Sequence, residues 1–218
     1  MKPLQACIFD MDGVLLDSER FQRDLVISAS QELGYDIPND VYLACVGRNE
    51  RDTRQIFEER ISSTFPHQVV SERVDARIAA LIANDGWPLK PGVVGVLENL
   101  KAKGLRLCVA TSTAKPRAQD RLVSAKIRHF FEHISGGDEV SNGKPAPDLF
   151  LLAAGRLKLA PSDCLVIEDS EYGAQAALAA GMGCVMVPDL KTPPDWIRPK
   201  LEGVFENLVS AASYILQR

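Results

Sequence analysis

Polar side chains, most of them acidic, follow three short apolar runs of this sequence. They are Asp10 and Asp12 after residues 6–9, Thr111 and Ser112 after residues 105–109, and Glu168 and Asp169 after residues 164–167. If the runs are parallel strands of one open sheet, these side chains meet, because the ligand crevice lies outside the carboxyl ends of the strands. Clustered carboxylates need a compensating cation. A hard ion such as Mg²⁺ fits, because it takes one or two carboxylates together with waters or phosphate oxygens.

The predicted magnesium site has an all-oxygen ligand set. Asp10 and Asp169 can supply side-chain oxygens, and Asp12 can offer its backbone carbonyl. Glu168 either ligates the ion directly or holds a metal-bound water. The alternative of a calcium loop is disfavoured, because an EF-hand needs a further Asp or Asn before its glycine and follows a helix. Here the aspartate pair follows a predicted strand.

Lys144 lies in a stiff loop that can aim its amine at the same edge. Gly143, Pro145 and Pro147 surround it, and the residue before a proline is pushed toward an extended conformation. A phosphate close to several carboxylates needs positive charge, and Lys is a compact point charge suited to binding it. The alternative is a solvated surface lysine.

Thr111 and Ser112 precede a predicted helix that begins near Lys115. A hydroxyl beside backbone amides at the start of a helix forms an anion site. The alternative is a simple helix cap. Because both residues follow a predicted strand of the sheet, we expect them to bind phosphate.

Four sequence blocks carry a resemblance to a known family. They are residues 9–18 (FDMDGVLLDS), 110–112 (ATS), 143–148 (GKPAPD) and 166–170 (VIEDS), with Gly173 shortly after. In this order they resemble the haloacid dehalogenase-like superfamily, in the subgroup whose helical cap is inserted after the first strand. They are similar to the β-phosphoglucomutase-like phosphatases. One block alone would be weak evidence, whereas these four span nearly the whole chain.

The resemblance implies catalytic roles for the acidic residues. Asp10 attacks phosphorus and forms an aspartyl-phosphate. Asp12 first protonates the leaving oxygen and then deprotonates the hydrolytic water. Mg²⁺, held by Asp10, the Asp12 carbonyl and Asp169, screens charge between the nucleophile and the phosphate.

The resemblance also implies how the substrate is held. Lys144, together with Ser112 or Thr111, binds the phosphoryl oxygens. The implied enzyme is a phosphatase whose partner is a small-molecule phosphate ester. The helical-cap subgroup favours small phosphorylated metabolites, so we expect a sugar phosphate, with nucleotides and phosphoglycolate left open.

Other activities of the family are less compatible with the sequence. A dehalogenase expels halide, which needs no proton, and such members typically lack the second aspartate, here Asp12. In β-phosphoglucomutases a histidine lies four residues after the position matching Ser18, whereas this chain has Gln22 there. Val46 and Glu50 occupy the aligned positions of the cap cations that grip a second phosphate. A phosphomutase is nevertheless the nearest alternative.

A non-catalytic regulator that binds sugar phosphates on the same fold is an alternative from a different class. Such a protein would normally have lost Asp10, Asp12 or Lys144, and all three are present. Release of inorganic phosphate from a generic aryl phosphate with Mg²⁺ would discriminate the two.

Short apolar runs alternate with helical patterns from about residue 92 onward. The predicted strands are residues 6–9, 105–109, 133–135, 164–167 and 184–187, and the predicted helices there are residues 93–103, 148–157, 173–180 and 208–216. This alternation predicts an α/β fold with a doubly wound, Rossmann-like parallel sheet.

Residues 18–85 do not follow this alternation. They show helical spacing and no convincing strand, and the interval is several times longer than a parallel crossover needs. We therefore predict a core domain made of residues 1–16 and 88–218, with an inserted all-helical cap domain at residues 17–87. The linkers are expected at residues 13–18 and 85–92.

Charged residues of the predicted cap are candidates for substrate specificity. Arg48, Arg51 and Arg54 could face the closed site and grip an anionic or polyol substrate, and Gln22 and Asn49 could bond its hydroxyls. The alternative, which we favour for the arginines, is a solvated helix face whose salt bridges contribute little.

Composition excludes several classes of function. The 218 residues are 46% hydrophobic and 25% charged, as in ordinary globular proteins. The net charge of −4 lacks the basic footprint of a nucleic-acid-binding surface. No apolar window approaches the roughly 18 residues of a membrane span, and the first residues lack the apolar region of a secretory signal. We expect a cytoplasmic monomer without nucleic-acid or membrane partners, whose 5 cysteines are buried and reduced.

Overall fold

The computed structural model describes residues 4–83 and 86–218, without the side chains of residues 19, 20 and 81. Its strands are β1 (Ala6–Phe9), β2 (Arg106–Thr111), β3 (His133–Gly136), β4 (Cys164–Glu168), β5 (Gly183–Met186) and β6 (Gly203–Val204). They form a six-stranded sheet in the order β3-β2-β1-β4-β5-β6. All neighbouring strands are parallel.

Both faces of the sheet are buried. Successive residues of a strand point to opposite sides, so in β1 the side chains of Cys7 and Phe9 pack on one face and those of Ala6 and Ile8 on the other. Strands buried on both faces read as continuous apolar runs. This explains why the central strands are visible in the sequence.

Helices cover the two faces of the sheet and form the cap. They are α1 (Glu19–Gln31), α2 (Asn39–Cys45), α3 (Glu50–Arg60), α4 (His67–Ile82), α5 (Val93–Ala102), α6 (Lys115–Ser124), α7 (Asp148–Leu157), α8 (Glu171–Ala179) and α9 (Leu208–Leu216). The apolar residues of α5, α6 and α9 pack on one face of the sheet. Those of α7 and α8 pack on the other.

The cap helices α1 to α4 pack around aromatic side chains. The ring of Phe65 lies 4.9 Å from that of Phe57 and 5.3 Å from that of Tyr35, measured between centroids. On the surface, Arg77 of α4 donates to the carboxylate of Glu32 beyond α1 at 2.6 Å. The aromatic contacts fix how the cap helices pack, whereas the exposed ion pair adds little.

The predicted fold class is confirmed, since the sheet is doubly wound and four helices lie between β1 and α5. The sequence patterns do not predict α2 or β6. The division into a core and a cap at residues 17–87 stays a prediction. Residues 1–3 of the predicted core and Asp85, the predicted start of the second linker, lie outside the described residues.

The strand order places a crevice at β1. Strands β2 and β3 lie on one side of β1, and β4 to β6 lie on the other. Ligands of open α/β sheets bind at such a switch point, outside the carboxyl ends of the strands. Within the described residues, no helix is both long and apolar enough to cross a membrane.

Candidate active site

The predicted polar residues meet at the carboxyl edge of the sheet. β1 pairs with β2 and with β4, which brings the residues that end or follow these strands to the same place. A cavity of about 220 Å³ lies between this edge and the cap. Its core-side lining includes Asp10, Asp12, Thr111, Ser112 and Asp169.

The ammonium group of Lys144 lies between two carboxylates. Its Nζ donates to Oδ1 of Asp10 and to Oε1 of Glu168, each at 2.5 Å. The lysine side chain is 1% exposed, and those of Asp10 and Glu168 are 9% and 0% exposed. Because an unpaired buried charge costs several kcal/mol, each partner requires the others. The cation is thereby fixed beside the proposed nucleophile.

Burial and charge set the protonation of this pair. Burial raises the pKa of Asp10 to about 7, against the opposing effect of Lys144 and with smaller additions from Glu168 and Asp12. Burial alone would lower the pKa of Lys144, but the attraction of Asp10 and Glu168 outweighs it and raises that pKa above its ordinary value. Lys144 is therefore charged at neutral pH, whereas Asp10 needs more positive charge nearby to be fully ionised.

Glu168 is held from both sides. Its Oε2 accepts from the backbone N–H groups of Asp169 at 3.0 Å and Ser170 at 2.9 Å, and from the Ser170 hydroxyl at 2.9 Å. A Cβ atom on Gly173 would lie 1.8 Å from Oε1 of Glu168, so this turn of α8 requires glycine. Both oxygens of Glu168 are thus engaged by protein donors, and the side chain positions Lys144.

Asp12 is held by three side-chain donors. Its Oδ1 accepts from the Ser18 hydroxyl at 2.6 Å and from Nη1 of Arg121 at 2.8 Å. Its Oδ2 accepts from the Thr113 hydroxyl at 2.9 Å. The backbone N–H of Thr113 in turn donates to Oγ1 of Thr111 at 3.1 Å. Asp12 and the two threonines at the carboxyl end of β2, Thr111 and Thr113, therefore belong to one hydrogen-bond network.

The oxygen donors around Asp10 fit the predicted Mg²⁺. As whole residues, Asp10 and Asp169 are 6% and 5% exposed, and both line the same cavity. Burial raises the pKa of the Asp10 carboxyl group, and a divalent cation beside it would favour the ionised form. Within the described residues, no three His, Cys, Asp or Glu side chains form a group that could hold a metal. Mg²⁺ does not need such a group, since it keeps waters and substrate oxygens beside one or two carboxylates.

The cap lies closed against the core at this edge. The Ser112 hydroxyl donates to the carbonyl oxygen of Gly47 at 3.1 Å, and Nη1 of Arg51 donates to that of Ser141 at 3.1 Å. Gly47 has a φ of +83°, and a Cβ atom there would lie 2.7 Å from Oγ of Ser170. The cap backbone thus approaches the core where only glycine fits.

The five candidate specificity residues lie in different places. Gln22 and Arg48 line the main cavity, whereas Asn49, Arg51 and Arg54 line a second cavity at the boundary of cap and core. The Asn49 side chain caps α3 by accepting a first-turn N–H at 2.9 Å. The guanidinium carbon of Arg48 lies 4.2 Å from the centre of the Tyr172 ring. The structure therefore brings only Gln22 and Arg48 to the aspartates.

Comparisons with known proteins identify the family of this chain. Residues 4–181 match the family model of the haloacid dehalogenase-like hydrolases. This protein belongs to that family. The resemblance predicted from the four sequence blocks is therefore confirmed.

Two relatives of this hydrolase are named as phosphatases. It is 34% identical over 197 residues to a probable pseudouridine-5′-phosphatase of Drosophila melanogaster, with 87% of this chain and 84% of the relative covered. It is 33% identical over 184 residues to a phosphorylated carbohydrates phosphatase of Thermotoga maritima, with 82% of each covered. The crystal structure of CbbY from Rhodobacter sphaeroides with phosphate covers 94% of both chains, with a TM-score of 0.77 and 25% identity.

Arg121 is a residue of the hydrolase site that the sequence patterns do not predict. It is 6% exposed and lines the cavity beside Asp12. It lies on α6 between Ala118 and Leu122, which are both buried. A charged residue on the apolar stripe of a helix is rarely buried without a partner. The place of Arg121 on the apolar stripe of α6 was therefore the sequence signal that could have identified it.

The cap side of the cavity has a wall of apolar residues beside polar and charged ones. Its lining includes Val26, Val46, Phe57, Val74 and Ile78. His67 also lines it, and among the described residues its Nδ1 has no hydrogen-bond partner. These residues line the same cavity as Asp10 and Asp12.

Proposed function

We propose that this hydrolase is an Mg²⁺-dependent phosphomonoesterase that forms an aspartyl-phosphate on Asp10. One observation carries the proposal. The Asp10 carboxylate lies at the end of the central strand, bonded to Lys144, and opens into a cavity that also contains the Asp12 carboxyl group. A nucleophile, a fixed cation and a second carboxyl group thus converge where substrate can enter.

In the first step an oxygen of Asp10 bonds to phosphorus while the bond from phosphorus to the leaving oxygen breaks. Asp12 gives its proton to that leaving oxygen, so the alcohol departs and Asp12 becomes a carboxylate. Lys144 keeps positive charge beside the phosphoryl group. The hydroxyl of Ser112 turns from the Gly47 carbonyl to donate to a phosphoryl oxygen.

In the second step a water oxygen bonds to phosphorus, and Asp12 takes a proton from that water. The bond between phosphorus and the Asp10 oxygen breaks. Inorganic phosphate leaves, and Asp10 is again a carboxylate while Asp12 is again protonated. The closed cap limits the access of bulk water during transfer.

Asp10, Asp169 and the backbone carbonyl of Asp12 would hold Mg²⁺. When bound, the ion supplies positive charge that balances the nucleophile and the phosphoryl oxygens. Glu168 is assigned to positioning Lys144 and the residues that follow β4, because protein donors engage both of its oxygens.

Hydrolysis is favoured over phosphoryl transfer to a second hydroxyl. Gln22 stands where a mutase of this family has a histidine. Val46, at an aligned position of a mutase cap cation, belongs instead to the apolar wall of the cavity. The two aligned cap positions, Val46 and Glu50, therefore lack the cations with which such a mutase grips a second phosphate.

For the substrate we propose a small phosphorylated metabolite, with a sugar phosphate as the first candidate. The relative named as a phosphorylated carbohydrates phosphatase supports this class. A nucleoside 5′-phosphate is a second candidate. The apolar cap wall and the relative named as a pseudouridine-5′-phosphatase favour it, because a base offers a flat face to such a wall.

A panel of phosphate esters with Mg²⁺ tests the proposal, with inorganic phosphate as the readout and Asp10→Asn as the control. We expect release by the wild-type protein and none by the variant. Higher kcat/KM for nucleoside phosphates than for sugar phosphates would select the second substrate class. Folded, metal-supplied protein that releases no phosphate from any ester would contradict phosphatase function.

A further inference from the structure

We propose that Arg121 is a positioning residue that holds the Asp12 carboxyl group for proton transfer, an inference that rests on the proposed phosphatase function. Arg121 lies on α6, a core helix, and is 6% exposed. Its Nη1 donates to Oδ1 of Asp12 at 2.8 Å. A hydrogen bond from a charged donor is shorter and stronger than one between neutral groups, so the guanidinium group can fix the orientation of the carboxyl group in either protonation state.

Two further contacts hold the guanidinium group itself. The Gln22 amide, oriented with its oxygen toward Arg121, accepts from Nη1 at 3.0 Å and from Nη2 at 2.8 Å. The guanidinium carbon lies 4.4 Å from the centre of the Trp87 ring. Gln22 belongs to the first cap helix, and Trp87 lies in the predicted second linker. Arg121 therefore joins the cap, the linker and Asp12 when the cap is closed.

The geometry also determines which Asp12 oxygen carries the transferable proton. Oδ1 accepts from Arg121 and from Ser18, and a guanidinium group can only donate. Oδ2 accepts from the Thr113 hydroxyl, which can turn and accept instead. A protonated Asp12 therefore carries its proton on Oδ2, while Oδ1 stays bonded to Arg121.

In this assignment Oδ2 of Asp12 transfers the proton, and Oδ1 remains the acceptor for Arg121. In the first step the Oδ2–H bond breaks as its proton passes to the leaving oxygen, whose bond to phosphorus breaks at the same time. In the second step Oδ2 takes a proton from the attacking water. Arg121 keeps its bond to Oδ1 throughout. A displacement of about 1 Å is enough to slow such a transfer strongly.

Two rival roles for Arg121 must be separated from this one. Its Nε has no hydrogen-bond partner among the described residues, so the guanidinium group could bind substrate directly. It could also only brace the closed cap through Gln22 and Trp87. Direct binding would act mainly on KM, whereas bracing alone would slow all substrates by the same factor.

The test is the dependence of kcat/KM on the leaving group, measured with substituted phenyl phosphates and Mg²⁺. A poor leaving group needs a proton more than a good one, so loss of acid catalysis steepens this dependence. In Arg121→Met we expect phenyl phosphate to lose about 10-fold more kcat/KM than p-nitrophenyl phosphate. Asp12→Asn should make the leaving-group dependence of kcat/KM steeper still. Arg121→Lys keeps a charge and a donor, so its dependence should be intermediate between those of wild type and Arg121→Met.

Arg117→Met is the matched control. Arg117 lies on the same helix and bonds Asp75 of the cap at 2.7 Å, so its loss also removes a contact between cap and core. We expect this variant to change kcat/KM by the same factor for every ester, so that the leaving-group dependence stays as in wild type. The melting temperature of each variant checks folding, and if Arg121→Met does not fold, Arg121→Lys provides the comparison.

If kcat/KM depended on the leaving group equally in wild type and Arg121→Met, but more steeply in Asp12→Asn, the positioning role would be overturned. If Arg121→Met raised KM but left kcat and the leaving-group dependence of kcat/KM unchanged, the positioning role would be overturned in favour of substrate binding. An unchanged slope in Asp12→Asn would instead refute the acid role of Asp12. Wild-type protein that releases no phosphate would refute the proposed function and this inference with it.

Discussion

Nζ of Lys144 lies 2.5 Å from Oδ1 of Asp10, although 134 residues separate the two in the chain. The same ammonium group lies 2.5 Å from Glu168 at the end of β4. One buried cation is therefore shared by two buried carboxylates that end or follow neighbouring strands. The same three side chains affect both the stability of this sheet edge and the placement of the proposed nucleophile.

Replacing Lys144 by methionine should reduce both stability and activity. The substitution leaves two buried carboxylates without their cation, so we expect the free energy of unfolding to fall by about 3 kcal/mol. Phosphate release should fall by about 100-fold or more, because a fixed charge beside the phosphoryl group is lost. Urea unfolding and a phosphate assay measure the two effects. Lys101→Met, an exposed helix position, is the control and should stay within about 0.5 kcal/mol of wild type.

Gly173→Ala should displace Glu168. The added Cβ atom would lie 1.8 Å from Oε1 of Glu168, so the carboxylate must move away from Lys144. We expect a loss of about 1–3 kcal/mol in unfolding free energy and a lower kcat. In the matched variant Gly155→Ala, on α7, the new Cβ would have no described atom within 4 Å apart from its chain neighbours and the nearby backbone of α7 itself. That variant should be neutral or more stable by about 0.5–1 kcal/mol, and an equal loss in both would refute the steric account.

The core half of the site could be predicted from sequence because its chemistry is local to strand ends. Asp10, Thr111 and Asp169 each end or follow a buried apolar run, and parallel strands bring such positions together. Lys144 was predicted from its loop and motif. Its contact with Glu168 was not, because that distance depends on how the loop packs against the end of β4.

The cap half could be predicted only in outline. The positions of Asn49 and Arg51 depend on how the cap closes, which no local pattern encodes. The burial of Arg121 could have been inferred from its apolar neighbours on α6, but its contacts with Asp12 and Trp87 depend on tertiary packing. In the core, β6 has only two residues, too few for a strand pattern.

Glu139 should make stability depend on pH in the acid range. Arg156 hydrogen bonds lower the pKa of Glu139 from 4.5 to about 2, with burial opposing and Lys115 and the Gly136 N–H assisting. Since the folded carboxyl group holds its proton less tightly, its contribution is complete above about pH 4.5 and is lost as the pH falls toward 2. Glu139→Gln should lower the unfolding free energy at pH 7 by about 1–2 kcal/mol and flatten its dependence between those values.

Glu132→Gln is the matched control for this prediction. Glu132 also bonds an arginine, Arg106, but its side chain is 41% exposed against 21% for Glu139. Solvent screening should keep the effect below about 1 kcal/mol. Urea unfolding across this pH range measures how the unfolding free energy depends on pH. If that dependence were the same for Glu139→Gln and wild type, the network around Arg156 would not determine acid stability.

Magnesium should bind the free protein and stabilise it. A ligand that binds only the folded state at about 100 times its Kd adds about 2.7 kcal/mol, so the melting temperature should rise with Mg²⁺. Asp169→Asn should remove most of that rise, whereas Asp120→Asn, at an exposed position of α6, should keep it. Chelation by EDTA should stop phosphate release and added Mg²⁺ should restore it. A full rise in Asp169→Asn would exclude that residue as a ligand.

The most direct measurement is the detection of a phosphoryl group on Asp10. The protein is mixed with Mg²⁺ and a phosphate ester that it hydrolyses, and the reaction is quenched in acid before it is complete. The protein is then digested, and its peptides are analysed by mass spectrometry. The account predicts that the peptide containing Asp10 gains the mass of one phosphoryl group, and that Asp10→Asn does not. Phosphate release without any labelled peptide, or continued release by Asp10→Asn, would contradict it.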